Sequence, residues 1–214
     1  MTRLGKFRRL LLIGVFVLIA IVIAVVYMSS QPTQPSLNPA DAKAIIFDFD
    51  TGSPLLAQTF NTPFNQTSNG VTAHFSSPSD PAAFAVESQE SNSLKLSQFS
   101  GKYLVDNKPS RDILDIKLDA QAIAFNFTFA TVEHQGGAIT IPSDILLTAY
   151  RDTRLVGSTR AYGSFSGDSY PQGTLTFGSG EPFNWLRVSV PSQTSGTTDF
   201  LIDNISVSVV WCER

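Results

Sequence analysis

The stretch Ala122-Ile123-Ala124-Phe125-Asn126-Phe127-Thr128-Phe129 decides the fold class. Its large apolar side chains, Ile123, Phe125, Phe127 and Phe129, alternate with Ala124, Asn126 and Thr128. A period of two puts the large residues on one face of a strand, so the stretch predicts half-buried β-structure. Trp185-Leu186-Arg187-Val188-Ser189-Val190 repeats the pattern, with Leu186, Val188 and Val190 facing one way. Outward from these two, short apolar or alternating runs recur between turn signals. Before Ala122 they are Ala44–Phe49, Val71–Phe75, Ala83–Val86, Leu94–Phe99, Lys102–Val105 and Ile113–Leu118. After it come Gly137–Ile141, Ile145–Arg151, Arg154–Ala161, Thr174–Phe177 and Phe200–Val210. No amphipathic helix interrupts them between Lys43 and Trp211. About a dozen strands without crossover helices predict an antiparallel sandwich or barrel. A single body over residues 43–214 fits an all-β, two-sheet antiparallel jelly-roll β-sandwich.

The final run carries an irregularity. Phe200 and Ile202 share one parity, whereas Ile205, Val207 and Val209 share the other. The switch falls at Asp203-Asn204. A strand that changes its buried face needs a bulge, a kink or a move between sheets. Asp203 is therefore expected where main-chain groups leave the ladder.

The N-terminus is a different object. Arg3, Lys6, Arg8 and Arg9 precede an uncharged run of 19 residues, Leu10 to Met28. As a helix it spans roughly 28 Å, close to a bilayer core of about 30 Å. Four cations before it, and no charge after it until Asp41, orient the tail to the cytoplasm. A cleaved signal peptide would have a shorter apolar region followed by a small-x-small site. The end of this run, Val26-Tyr27-Met28-Ser29-Ser30, offers none, and Val22-Ile23-Ala24 lies inside it. The expected organisation is a cytoplasmic basic tail (1–9), a transmembrane signal anchor (10–28), a Pro/Ser-rich linker (29–42) and an extracytoplasmic body (43–214). The linker, with Pro32, Pro35 and Pro39 among Ser and Gln, is a semi-extended tether of roughly 30–40 Å.

Composition narrows the function. The chain has 214 residues, a net charge of −3, 15% charged residues and 43% hydrophobic ones. With four of the 15 basic residues in the tail, 11 remain against 18 acidic ones, and the exported part carries about −7. A nucleic-acid binder normally shows a basic face, so that partner is excluded. A single cysteine, Cys212, rules out an internal disulfide and a CxxC zinc site. Exported and unpaired, it is a candidate for an intermolecular disulfide.

Asp48 and Asp50 flank Phe49 at the end of an apolar run. Spacing of two puts both carboxylates on one strand face, about 7 Å apart. Asp is a poor strand residue, and a hard cation such as Ca²⁺ would explain two together. Asp203 joins them if the first and last strands are neighbours. The alternative is a solvated strand end running into the turn Asp50-Thr51-Gly52-Ser53-Pro54.

The segments FDFDTGSP (47–54), NGVTAHFSS (69–77), LSQFSGKYLVDN (96–107) and DFLIDNISVSV (199–209) carry a resemblance. They look like exported bacterial β-sandwich proteins and are similar to jelly-roll domains of the galactose-binding and carbohydrate-binding-module type. The resemblance runs from about Ala44 to Val210. It implies that Asp203 matches the late ligand of a structural Ca²⁺ and Asp48 or Asp50 the early one.

Sugar recognition needs aromatic surfaces beside hydrogen-bonding groups, because a pyranose has apolar C–H faces and a rim of hydroxyls. Tyr162, Tyr170 and Asp168, in a Gly/Ser loop, and Arg151 near a turn are the candidate ligand-binding residues. Trp185 and Tyr150 are either a further platform or cross-strand fillers. Enzymatic signals are weak. Gly163-Ser164-Phe165-Ser166-Gly167 places Phe165 where a nucleophile elbow needs Ser. His74 and His134 have no nucleophile beside them in the sequence, and Glu87 and Glu90 lie in what reads as a polar loop, Val86–Ser91. The expected function is a membrane-tethered, non-catalytic module binding glycan or another envelope component. A structural or protein-interaction module is the alternative, and a glycan-active enzyme the third.

Overall fold

The computed structural model describes residues 42–91, 94–107, 112–132, 144–165, 167–191 and 198–211. Contacts divide the chain into two units, Met1–Ser36 and Leu37–Arg214, and every described residue belongs to the second. The expected transmembrane segment, Cys212, His134 and the run Gly137–Ile141 lie outside the described residues. Among the described residues no helix is long and apolar enough to cross a membrane.

The body is all-β. Its strands are β1 (Lys43–Phe47), β2 (Phe64–Ser68), β3 (Val71–Ser76), β4 (Phe84–Ser88) and β5 (Lys102–Asp106), then β6 (Leu114–Val132), β7 (Asp144–Arg151), β8 (Arg154–Tyr162), β9 (Gln172–Ser189) and β10 (Asp199–Val210). They pair antiparallel in the order β4-β5-β10-β6-β9-β7-β8, with β1 on β10, β3 on β6 and β2 on β3. The path does not close, since its end strands β4 and β8 do not pair with each other. The outer edge of β4 is covered by the segment 59–62, through Thr59 N–H to Val86 O, Val86 N–H to Phe60 O and Thr62 N–H to Phe84 O.

Two strands are much longer than their sequence signals. Ile113–Leu118 and Ala122–Phe129 merge into β6, and Thr174–Phe177 and Trp185–Val190 merge into β9. Asp119-Ala120-Gln121 and the Gly/Ser stretch 178–180 resemble turns in sequence. In the fold they are absorbed by irregular pairing, with register shifts between Lys117 and Ala122 and between Ala122 and Ala124. The early part of β6 pairs with β3 and the late part of β9, while its late part pairs with β10 and the early part of β9. Leu114 and Ile116 from the first part, and Phe125, Phe127 and Phe129 from the second, nevertheless share one core. β2 escapes the alternation test because Asn65-Gln66-Thr67 is polar; Gln66 points inward and is buried.

Leu94–Phe99 is a loop rather than a strand. Its Leu96 and Phe99 join Tyr103, Ala130, Val132 and Leu201 in a second, smaller cluster. That cluster explains why β10 is buried on both faces at Phe200, Leu201 and Ile202. The expected switch in β10 is present. Three residues of β10, Asp203 to Ser206, advance against two of β6, Thr128 to Asn126. Asn204 takes up the extra residue at φ 52°, a left-handed conformation that Asn tolerates better than most residues.

Candidate functional site

The bulge in β10 creates a junction. Beyond it, Ile205 to Val209 pair with β1; before it, Leu201 and Ile202 pair with β5. Two strands thus share one edge of β10, and the chain must leave β1 and enter β5 opposite Asp203. Phe49, just past β1, turns at φ 60° with its ring in the core. This throws Asp48 and Asp50 toward the gap. Gly101, just before β5, turns at φ 63°, and a Cβ there would sit 2.0 Å from Asp50 Oδ2. Only glycine lets the Asp50 carboxylate lie against this main chain.

All three carboxylates accept main-chain N–H groups. Asp50 takes that of Lys102 on both oxygens, at 3.1 and 3.0 Å. Asp203 takes those of Ser100 at 3.0 Å and Asn204 at 2.7 Å. Asp48 takes Thr51 N–H and Thr51 Oγ1–H, both at 2.8 Å. Asp203 is fully buried. Burial pushes its carboxyl up to about 7; the Ser100 and Asn204 amides oppose this, and the charges of Asp50 and Asp48 add to it. Among the described residues none of the three makes an ion pair with a basic side chain. Nor, among the described residues, do three or more His, Cys, Asp and Glu side chains stand together as a ready-made metal cage. Asp50 and Asp203 are held by amides of the segment 100–102 and of Asn204, and Asp48 by its own turn to Thr51.

The structure separates Arg151 from Tyr162 and gives Tyr170 and Asp168 packing and clamping contacts. Tyr162 is 60% exposed at the end of β8, and Phe165 nearby is also exposed. Arg151 lies at the opposite end of the β7–β8 hairpin, since Asp144 pairs with Tyr162 and Arg151 with Arg154. Tyr170 is half-buried against the second cluster. Asp168 clamps two loops together, accepting Ser97 N–H at 3.1 Å and Ser97 Oγ–H at 2.8 Å. Lys95 N–H to Ser169 Oγ and Ser169 N–H to Lys95 O continue the clamp. Of the carboxylates considered for glycoside hydrolysis, Glu87 lies on β4 near the Tyr103 hydroxyl and Glu90 in a short 3₁₀ turn.

A second polar assembly lies on the solvent face of the β2-β3-β6-β9-β7-β8 strands. Register aligns Asn65 with His74, His74 with Lys117, Lys117 with Trp185, Trp185 with Tyr150 and Tyr150 with Leu155. One row therefore crosses six strands. The Trp185 and Tyr150 rings stack at 4.6 Å, and both are half-buried. The Lys117 ammonium and the Arg187 guanidinium each lie 5.1 Å from the Trp185 ring centre. Arg187 is anchored by a two-pronged bond to the buried Asp115, at 2.8 and 2.9 Å, which raises its already high pKa. His74 Nδ1 and Asn65 Oδ1 are hydrogen-bonded at 2.8 Å. The pattern signals Trp185 and Tyr150 individually. Lys117, Arg187 and Asp115 join them only through strand register.

The described body is thus an all-β domain with an open sheet, an acidic junction and one aromatic-polar face. No protein-family model matches the chain, and no curated protein matches it. Among solved structures it is similar to the K1 cleaved adhesin domain of Lys-gingipain from Porphyromonas gingivalis W83, with 8% identity over 78% of this chain and 98% of that one, and a TM-score of 0.46. The K2 cleaved adhesin domain of Lys-gingipain gives 9% identity over 77% and 99%, and a TM-score of 0.46. A family 29 carbohydrate-binding module complexed with cellulohexaose gives 10% identity over 78% and 92%, and a TM-score of 0.35. Identities of 8–10% and TM-scores of 0.35–0.46 leave the functional reading to the residues themselves.

Proposed function

We propose that the protein is a non-catalytic glycan-binding module, held outside the cell by an N-terminal membrane anchor over residues 10–28. The two groups of strands joined by β6 and β9 are read as the two layers of a jelly roll. The observation that carries the binding reading is the row Asn65, His74, Lys117, Trp185, Tyr150 and Leu155. A rigid sheet holds an aromatic pair among hydrogen-bonding side chains on its solvent face, the mixture a pyranose requires. The test is a glycan array probed with the full-length protein in detergent. Binding to at least one glycan, lost on Trp185→Ala in a folded variant, supports the reading. No glycan signal, with an envelope protein recovered by crosslinking instead, replaces it with the interaction-module alternative.

A structural Ca²⁺ at the acidic junction belongs to the same proposal. The donors there are oxygen only, as a hard cation prefers, and three carboxylates lack basic partners among the described residues. Asp203 and Asp50 would be the principal ligands, with Asp48 beside them and main-chain carbonyls supplying further oxygens. The ion would supply positive charge to the buried Asp203 and to Asp50 and Asp48, whose charges act on it.

A further inference from the structure

Between the Lys117–Trp185 pair of the aromatic-polar face and the β7–β8 hairpin tip is a cleft of about 320 Å³ lined by Lys117, Leu118, Asp152, Thr153, Asn184 and Trp185. We propose that this cleft binds a single neutral pyranose unit, such as a chain end or a branch, between Lys117 and Asp152. The proposal rests on the glycan-binding reading and adds the site, the charge of the ligand and the mode of binding.

Size sets the mode. The volume is at the small end of the roughly 300–1,000 Å³ typical of small-molecule sites, enough for about one sugar ring. The β7–β8 hairpin tip, Asp152-Thr153, forms one wall. Asp152 holds a left-handed φ of 58° there. Asn184 secures it, accepting Asp152 N–H at 2.8 Å and donating from Nδ2 to Asp152 Oδ1 at 3.0 Å. The wall is thus pre-organised, so little ordering cost falls on binding.

Charge sets the ligand class. Arg187 is occupied by Asp115, so it is not the cation that a ligand meets. Lys117 is exposed and has no carboxylate partner among the described residues. Among the described residues no hydrogen bond reaches Asp152 Oδ2, its Oδ1 being held by Asn184. One cation and one anion therefore line the cleft. An anionic sugar gains from Lys117 and is repelled by Asp152. A neutral sugar uses both, because each hydroxyl accepts from the ammonium and donates to the carboxylate. Vicinal hydroxyls can engage both at once. Trp185, stacked on Tyr150 and with Lys117 and Arg187 each 5.1 Å from its ring centre, contributes with Leu118 the apolar part of the lining that the ring C–H groups would meet.

The test is NMR titration of the full-length protein in detergent micelles with glucose, galactose, mannose and cellobiose, and with glucuronic and galacturonic acids. At least one neutral sugar is expected to shift the Trp185 indole N–H resonance and to bind more tightly than its uronic acid. Lys117→Ala and Asp152→Asn are each expected to weaken it roughly tenfold, the loss of one charge-assisted hydrogen bond, with the melting temperature unchanged in Asp152→Asn and lowered by only about 1–4 °C in Lys117→Ala, which also loses its contact with the Trp185 ring. Thr153→Trp, which fills the cleft, is expected to abolish binding. Full-strength binding in these variants, or tighter binding of a uronic acid, overturns the assignment of the cleft and leaves glycan binding standing. Silence toward every sugar in solution and on the array overturns both.

Discussion

Asp203 accepts the main-chain N–H of Ser100 at 3.0 Å, joining positions 103 residues apart in the chain. Beside it Asp50 accepts the N–H of Lys102, 52 residues away. Together they fasten the end of β1 and the start of β5 to the bulge in β10. Each strand alone leaves amides unpaired at this point. The carboxylates satisfy them, at the cost of gathering negative charge in a buried place.

That cost has a pH signature. The Asp203 carboxyl is pushed up to about 7 from an ordinary 3.8. Its native state therefore keeps a proton that the unfolded chain releases. The stability linked to that proton is full below about 3.8 and is lost as pH rises through about 7. In the presence of a chelator, the melting temperature of Asp203→Asn minus that of the unaltered protein should increase between pH 4 and pH 8. A difference that stays constant over this range counts against the raised value.

Calcium should reverse the effect. If the junction holds Ca²⁺, an ion at 100 times its dissociation constant adds about 2.7 kcal/mol. For a domain of this size that is roughly 5–11 °C in Tm. Asp50→Asn should remove most of the gain. Identical melts in EDTA and in millimolar Ca²⁺ would eliminate the metal from the account.

Gly101→Ala attacks the same junction from the backbone. Its φ of 63° is costly for alanine, and the added Cβ would meet Asp50 Oδ2 at 2.0 Å. The expected loss is on the order of 2–3 kcal/mol, read as a fall in the denaturation midpoint at constant slope. A loss below about 0.5 kcal/mol would mean that Asp50 does not lie against this turn.

Asp168→Ala separates clamping from ligand contact. Removing its bonds to Ser97 should cost about 1–2 kcal/mol and speed amide exchange at Ser97 and its neighbours. Sugar affinity at the Trp185 cleft should stay unchanged in the same variant. A protein of normal stability and exchange that loses sugar binding would make Asp168 a ligand residue instead.

Local periodicity determined the all-β class, the inward phenylalanines of β6 and the face switch in β10. Each of these depends only on which neighbours along one strand share a side. Phe125, Phe127 and Phe129 are buried as their spacing requires, and the bulge falls at Asp203-Asn204 because two apolar parities meet there. The spacing of Asp48 and Asp50 marked a charged strand end, but not the shared strand face expected of it, because β1 ends at Phe47 and Phe49 turns at φ 60°. Tertiary structure alone decided the rest. It joined four short runs into the two long strands β6 and β9, because irregular pairing carries a strand through residues that locally favour turns. It turned Leu94–Phe99 into a cover for a second cluster, since alternation does not distinguish a strand from a loop with two buried residues. It separated Arg151 from Tyr162 along one hairpin and occupied Asp168 with Ser97. It also placed Lys117 beside Trp185 and Asn184 against Asp152. Those contacts follow from register between strands distant in the chain, and register is set by the whole sheet rather than by any one segment.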